Sequence, residues 1–360
     1  MGFGADSVTL PDDLRRLVGA PDQFVMVERF VRDEGPGRGA PVLVVHNPGG
    51  VSFEVLLDRA MDLGWAHAAG IPLAWRSPRG TVESSRHETA GLGWTRAFGG
   101  GLLSTCGLAS TGMPSEFDGV DHGMHGRIGH LPAENVRWRL TDEDGELVVE
   151  IVGDVVEAAL GQPTLALRRR IVAAIMRPEI RIEDAVVNRS FEPAGHMFRH
   201  HLNLGHPLIG PGTVVSAEAT VVGRRDVTDE PCPALPWVLD VTATAPAEEA
   251  VLYCRPDPAP TCTTTVTAAS GMRLHVQQTV DAFPLLVLWR DPSPGVNVLG
   301  VEPSTSRDAG RARAERDGEV VSLAPGESRE YRTRVWLPPS ADAGVFKQSM
   351  VASDVASDAT

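Results

Sequence analysis

From Gln23 onward, apolar positions recur in short β-branched runs cut by Gly, Pro and Asn: FVMVERFVRD, a GPGRG turn, PVLVVHN, GG, then VSFEVLLDRAMDLG. Runs of this kind read as strands joined by tight turns. The same grammar returns at VRWRL, LVVEIVGDVVEAA, LALRRRIVAAI, IRIEDAVVN, GTVVSAEATVVG, AVLYC, TCTTTVTA, MRLHVQQTV, LLVLWRD, GVNVLGVE and EVVSLAPGESREYRTRVWL. LRRRIVAAI and IRIEDAVVN, joined by Met176 to Glu179, form a predicted hairpin whose polar and apolar residues roughly alternate. Well over a dozen candidate strands and no convincing long helix predict an all-β, predominantly antiparallel sandwich.

The chain has 360 residues, which fits two domains or one large sandwich. No fixed-period repeat or low-complexity linker divides it, so the expectation is a single domain over 1–340 and a polar tail over 341–360. Pro11 to Val18 (PDDLRRLV) has short helical character, with Pro11 and two acids suited to a helix start. Arg307 to Gly318 is charged and Ala/Arg-rich, an exposed loop or short helix. An apolar share of 42% and a charged share of 22% suit a globular core. The net charge of -14 argues against nucleic acid or an anionic membrane and is compatible with a neutral substrate. There is no apolar run of about 18 residues and no leader-like N-terminus, so the expectation is a cytoplasmic protein. Four cysteines without a CxxC read as reduced thiols, with Cys254 and Cys262 the pair close enough in sequence for a bridge.

Histidine changes the picture, because seven of the eleven lie between His122 and His206, five of them in GMHGRIGHLPA and RHHLNLGHP. Imidazole passes protons near neutral pH, and together with Glu302 in LGVEPST the cluster suggests a proton-transfer site. There is no GxGxxG between strand and helix and no GxxxxGK[ST] loop, hence no nicotinamide or nucleotide cofactor is expected.

Five phrases occur in order: LLDRAMDLGWAHAAGIPLAW, GGLLSTCGL, MHGRIGHLPAE, HHLNLGHPLIG and VLGVEPST. Together they resemble an aldose 1-epimerase-like family, a poorly characterised branch of the galactose mutarotase superfamily, from about Leu14 to Leu337. The resemblance implies a galactose mutarotase-like β supersandwich with a carbohydrate bound in a groove on one sheet. It implies further that Glu302, in a segment like CLEPQ, is the base that takes the proton of the anomeric hydroxyl. The family's acid histidine stands four residues before the Asn of NL, where this chain has Arg199. His201, two before Asn203, shares that strand face and can serve instead. His125 in MHGR corresponds to an earlier histidine in a segment like LHGG, whereas Arg127 has no counterpart.

The expected reaction is therefore interconversion of sugar anomers, with a carboxylate facing an imidazolium. Glu302 and His201 are the candidate catalytic residues. His125, Arg76, Arg127 and Trp289 are candidate substrate contacts, the arginines as forks of donors and the tryptophan as a stacking face. Arg59 and Asp62 are expected to pair and brace the sheet. Cys106 reads as a small buried residue, and Asp121 and His122 as turn residues.

Two other readings use the same groove. His125, His201 and Glu302 have the donor types of a divalent-metal site for aldose-ketose isomerisation or epimerisation, although no compact HxH or HxxxH pair supports it. A non-catalytic sugar-binding protein would want an aromatic-rich groove, and only 5% of the chain is aromatic. Which sugar is bound, and whether the chain forms a homo-oligomer, the sequence leaves open.

Overall fold

The computed structural model describes residues 16, 18–225, 232–239 and 249–338. The Pro11–Val18 helix lies outside them apart from Arg16 and Val18, as does the 341–360 tail. Two antiparallel sheets face each other across one apolar core drawn from Val25 to Val335. Central in the larger sheet is Ala194–Leu204, flanked by Leu103–Leu108 on one side and Val298–Ser304 on the other. Leu285–Asp291 and Ala250–Pro256 continue it beyond Val298–Ser304. The second sheet is centred on Ser328–Trp336, Glu179–Asn188 and Leu165–Ala174. Among the described residues no helix is long and apolar enough to cross a membrane.

The predicted hairpin forms, with Ile171 opposite Ile182, because its alternating residues give each strand one core face. Not every core-facing position is apolar. Arg169 is completely buried, and its Nε and Nη2 donate to both oxygens of Asp184 at 2.9 and 2.6 Å. Its Nη1 crosses to the larger sheet, reaching the Ala60 carbonyl at 3.0 Å and the Thr105 hydroxyl at 2.8 Å, with Asp62 3.3 Å away. On the inner face of the central strand, His200 donates from Nε2 to Asp184 at 2.7 Å and accepts from Thr333 at 2.8 Å. This polar knot ties the sheets behind the groove strand.

Arg59 and Asp62 do not brace each other as expected. Ala60 and Met61 are both left-handed (φ 53° and 58°), and the turn they make sends the two side chains apart. Asp62 takes Arg169 and Thr105 as partners, while Arg59 donates to the Val82 carbonyl at 3.1 Å. Arg311–Asp317 is a short helix inside the charged Arg307–Gly318 stretch. Cys254 and Cys262 are both buried and unbridged, one in each sheet. Cys106 is buried and free, as expected.

Arg169→Ala should cost about 3–5 kcal/mol in urea unfolding, because it leaves Asp184 and Asp62 buried without their cation. A loss below about 1 kcal/mol would show that the knot does not hold the sheets together.

Candidate functional site

Strand alternation decides which side chains meet. On Ala194–Leu204, Phe198, His200 and Leu202 face the core, and Arg199, His201 and Asn203 face the opposite side. The register that pairs Arg199 with Ser304 and Leu202 with Val301 sets His201 directly across from Glu302. All three side chains are buried. Arg199 donates from Nη1 to Glu302 Oε2 at 2.8 Å, from Nε to the Ser304 hydroxyl at 3.1 Å and from Nη2 to the Ser306 carbonyl at 3.1 Å. The other Glu302 oxygen, Oε1, stands 3.2 Å from His201 Nε2, yet no hydrogen bond forms to it. His201 Nδ1 is likewise buried without a partner.

Burial pushes the Glu302 carboxyl up to about 7, with Arg199 opposing the rise and Asp308 adding to it. Burial, then the Arg199 charge, pull His201 down to about 3. The expected carboxylate facing an imidazolium is therefore not the resting state, since His201 is a neutral ring and Glu302 carries its own proton below about 7.

These groups form the floor of a pocket of about 390 Å³, within the usual range for small-molecule sites. Its walls are aromatic. Trp94 and Phe98 stack at 4.1 Å, Trp75 lies 5.6 Å from Phe98, and Trp289 meets Trp75 edge-on at 6.2 Å. Both Trp289 and Phe98 stand 5.5 Å from the His201 ring. Two of the indole N–H groups are taken up within the wall, Trp75 by the Val296 carbonyl at 2.6 Å and Trp289 by Glu249 at 2.7 Å, so these two rings offer the pocket their carbon surfaces. Trp75 fits against the strand because Gly100 (φ 70°) has no Cβ, which would come within 2.6 Å of the indole.

A second polar group closes the floor. Asp308 accepts from the Tyr253 hydroxyl and from Arg225 Nη1 at 2.9 Å, and Arg225 also reaches Glu249 at 2.7 Å. His125, left-handed at φ 58°, is held by its backbone between Gly112 and Gly107, and its ring packs 4.5 Å from Trp94 and 5.7 Å from His201. Burial keeps it well below the ordinary imidazole range.

Four of the six sequence candidates are thus brought together: Glu302, His201, His125 and Trp289 all line the pocket. Arg76 and Arg127 do not. Both are exposed, Arg76 because alternation turns Trp75 and Ser77 inward and Arg76 out. Arg127 caps the Ile128–His130 turn, where its charge helps depress His87. Sequence reasoning missed Trp75, Trp94, Phe98, Arg79, Arg225 and Asp308 as lining groups. The scarcity of aromatics misled it, because a wall needs only a handful and three of the seven tryptophans stand here. Among the described residues no group of three or more His, Cys, Asp or Glu side chains is placed to hold a metal ion, so His125, His201 and Glu302 do not converge as such a set.

Residues 37–337 match the family described as Domain of unknown function (DUF4432), and the chain belongs to that family. Comparison with curated proteins gave no match. Among solved structures, a candidate aldose 1-epimerase from Klebsiella pneumoniae is similar at 22% identity and TM-score 0.75, over 90% of this chain and 86% of that one. A galactose mutarotase-like protein from Clostridium acetobutylicum is similar at 12% identity and TM-score 0.59, over 88% of this chain and 100% of that one. A galactose 1-epimerase from Lactobacillus acidophilus is similar at 11% identity and TM-score 0.53, over 87% and 99%. The fold is the galactose mutarotase-like β sandwich.

The depressed histidines have a measurable consequence. His201 and His196 are held at about 3 and His87 at about 4, so between those values and the unfolded value of about 6.5 the unfolded chain binds more protons. Stability should be full above pH ~6.5 and fall as the pH drops toward 4. Glu302 at about 7 and Asp62 at about 6 act in the opposite sense, being destabilising as the pH rises, but they are outnumbered. A urea midpoint that stays level or rises between pH 7 and 4.5 would contradict this.

Proposed function

We propose that the protein interconverts the anomers of an aldose, with Glu302 and His201 as a proton-transfer pair. The observation that carries this is the buried, partnerless Oε1 of Glu302 facing His201 across 3.2 Å at the bottom of an aromatic pocket. A buried carboxylate oxygen without a donor is costly, and a substrate hydroxyl placed there would relieve it. Aromatic walls suit the C–H face of a pyranose, while Arg199 keeps the carboxylate fixed by its other oxygen.

Opening the ring requires loss of the hydroxyl proton at the anomeric carbon, cleavage of the bond from that carbon to the ring oxygen, and gain of a proton by that oxygen. Glu302 and His201 hold one proton between them, so one member can accept while the other donates, and closure on the other face of the carbonyl reverses the roles. Glu302, at about 7, carries that proton near neutrality and becomes the base once it has passed it to His201 across 3.2 Å. His201, neutral at rest, serves as the acid only after taking that proton from Glu302, and it gives the proton to the ring oxygen while Glu302 accepts the one from the anomeric hydroxyl. His125 and Trp289 are the remaining substrate contacts in this reading. A non-catalytic sugar-binding role is the second reading, favoured by the same aromatic walls.

Glu302→Gln should preserve fold and sugar binding while lowering kcat by about 10²–10⁴-fold, since the amide is nearly isosteric and accepts no proton. His201→Asn should cost less if water can deliver the second proton. The wild-type rate should fall as the pH rises through about 7 and the pair loses its one proton, whereas a rise over that range would show that ionised Glu302 works with a proton from solvent. The readout is NMR exchange between α and β anomers in D2O, with and without chelator. Neither deuterium at carbon nor a new sugar is expected. A ketose or epimer that vanishes with EDTA and returns with Mn²⁺ or Zn²⁺ would replace anomerisation by metal-assisted isomerisation. Unchanged turnover in Glu302→Gln would remove that residue from the mechanism.

A further inference from the structure

One lining segment has no part in the proton transfer. Ser77, Pro78, Arg79 and Gly80 form a hydrogen-bonded turn at the pocket rim, with the Gly80 N–H donating to the Ser77 carbonyl at 3.0 Å. Pro78 fixes the second position of the turn, and Gly80 (φ 68°) takes the left-handed conformation that glycine tolerates. The Ser77 N–H anchors it to the Gly99 carbonyl at 3.1 Å. A turn of this kind fixes the backbone from which Ser77 and the exposed Arg79 reach the pocket.

What it holds is a pair of donors without acceptors. Ser77 Oγ is buried and has no hydrogen-bond partner. Arg79 makes no ion pair, hydrogen bond or ring contact among the described residues, whereas Arg199 and Arg225, the other guanidinium groups of the lining, are paired. Arg199 holds Glu302 at 2.8 Å, Arg225 holds Asp308 at 2.9 Å and Glu249 at 2.7 Å, and Asp291 accepts from the Ser293 N–H at 2.9 Å. The turn thus contributes an uncompensated guanidinium beside a hydroxyl, a combination suited to an oxyanion. The overall charge of -14 does not oppose this, because at physiological salt distant charges are screened over about 8 Å.

Resting on the reading of the pocket as an aldose site, we propose that the Ser77–Gly80 turn is a subsite for an anionic substituent. The substrate is then an aldose that carries a phosphate or a carboxylate away from its anomeric centre. Arg79 supplies the charge, Ser77 a hydroxyl, and the turn fixes their distance from Glu302.

The test is calorimetric, on the full chain at low ionic strength. Glucose, galactose and mannose are titrated beside their 6-phosphates and uronates, into the wild type, Arg79→Ala, Arg79→Lys and Ser77→Ala. For the best-bound configuration, one anionic form should bind about tenfold or more tightly than its neutral parent, and added salt should erode the difference. Whether the 6-phosphate or the uronate shows it identifies the anion. Arg79→Ala should bring the ratio to within about twofold of unity, with Arg79→Lys intermediate. Neutral sugars binding as well as both anions, no anion binding at all, or Arg79→Ala weakening neutral and anionic sugars alike would each overturn the subsite. Anomer exchange of the same sugars separates the two ideas. Arg79-dependent binding without faster exchange sinks the catalytic reading alone, and fast exchange without anion preference sinks the subsite alone.

Discussion

The strand Ala194–Leu204 is buried on both faces, and that constraint organises the molecule. Nearly every residue along it is buried, so each polar side chain has to find a partner in the protein or remain unsatisfied. On the inner face the accounts close. His196 lies between the Leu108 carbonyl at 3.1 Å and the Tyr331 hydroxyl at 2.8 Å, and His200 lies between Asp184 and Thr333. Both are neutral structural rings whose tautomers are set by those partners. On the outer face they do not close, since Glu302 Oε1, His201 Nδ1 and Asn203 Oδ1 are buried without partners. Satisfaction therefore separates two kinds of histidine on adjacent positions of one strand. His130 is unsatisfied too, but it lies off the pocket, stacked on His87 at 3.3 Å.

Arg199 acts on both members of the outer pair. Its charge lowers Glu302 against the rise caused by burial, and it lowers His201 in the same direction as burial. The result is a carboxyl near 7 beside an imidazole near 3, so the two groups do not compete to be charged at once. A carboxylate with one oxygen clamped and the other open has a defined direction of approach. That arrangement depends in turn on the Arg169 knot behind the strand, which fixes His200 and with it the pitch of the neighbouring His201.

Much of this was legible along the chain because strands carry a strong signal. The alternation in LRRRIVAAI and IRIEDAVVN showed the hairpin, and the two-residue period showed that 199, 201 and 203 share a face. Glu302 and His125 were legible from the motifs around them. What local pattern did not reveal were partners set by turns. Two left-handed residues separate Arg59 from Asp62, and the SPRG turn brings Arg79 to the pocket while Arg76 faces away. Arg199 was visible only as a departure from a motif, since its value lies in a cross-strand neighbour more than a hundred residues away.

Composition was least informative where the pocket is concerned, for a physical reason. A 5% aromatic share is an average over 360 residues, whereas a pocket is built by a handful. Trp75, Trp94 and Phe98 meet Trp289 of the strand Leu285–Asp291 because the Trp75–Gly101 segment is hydrogen-bonded to the central strand. The Trp75 N–H reaches the Asn203 carbonyl at 2.9 Å, and the Gly101 N–H reaches the Trp75 carbonyl at 2.8 Å. The same backbone bonds fix the aromatic wall, the rim turn and the proton-transfer floor to one piece of sheet. Distance between rim and floor is then a property of the fold rather than of a moving loop, and a ligand that satisfies both ends is selected by its length as much as by its charge.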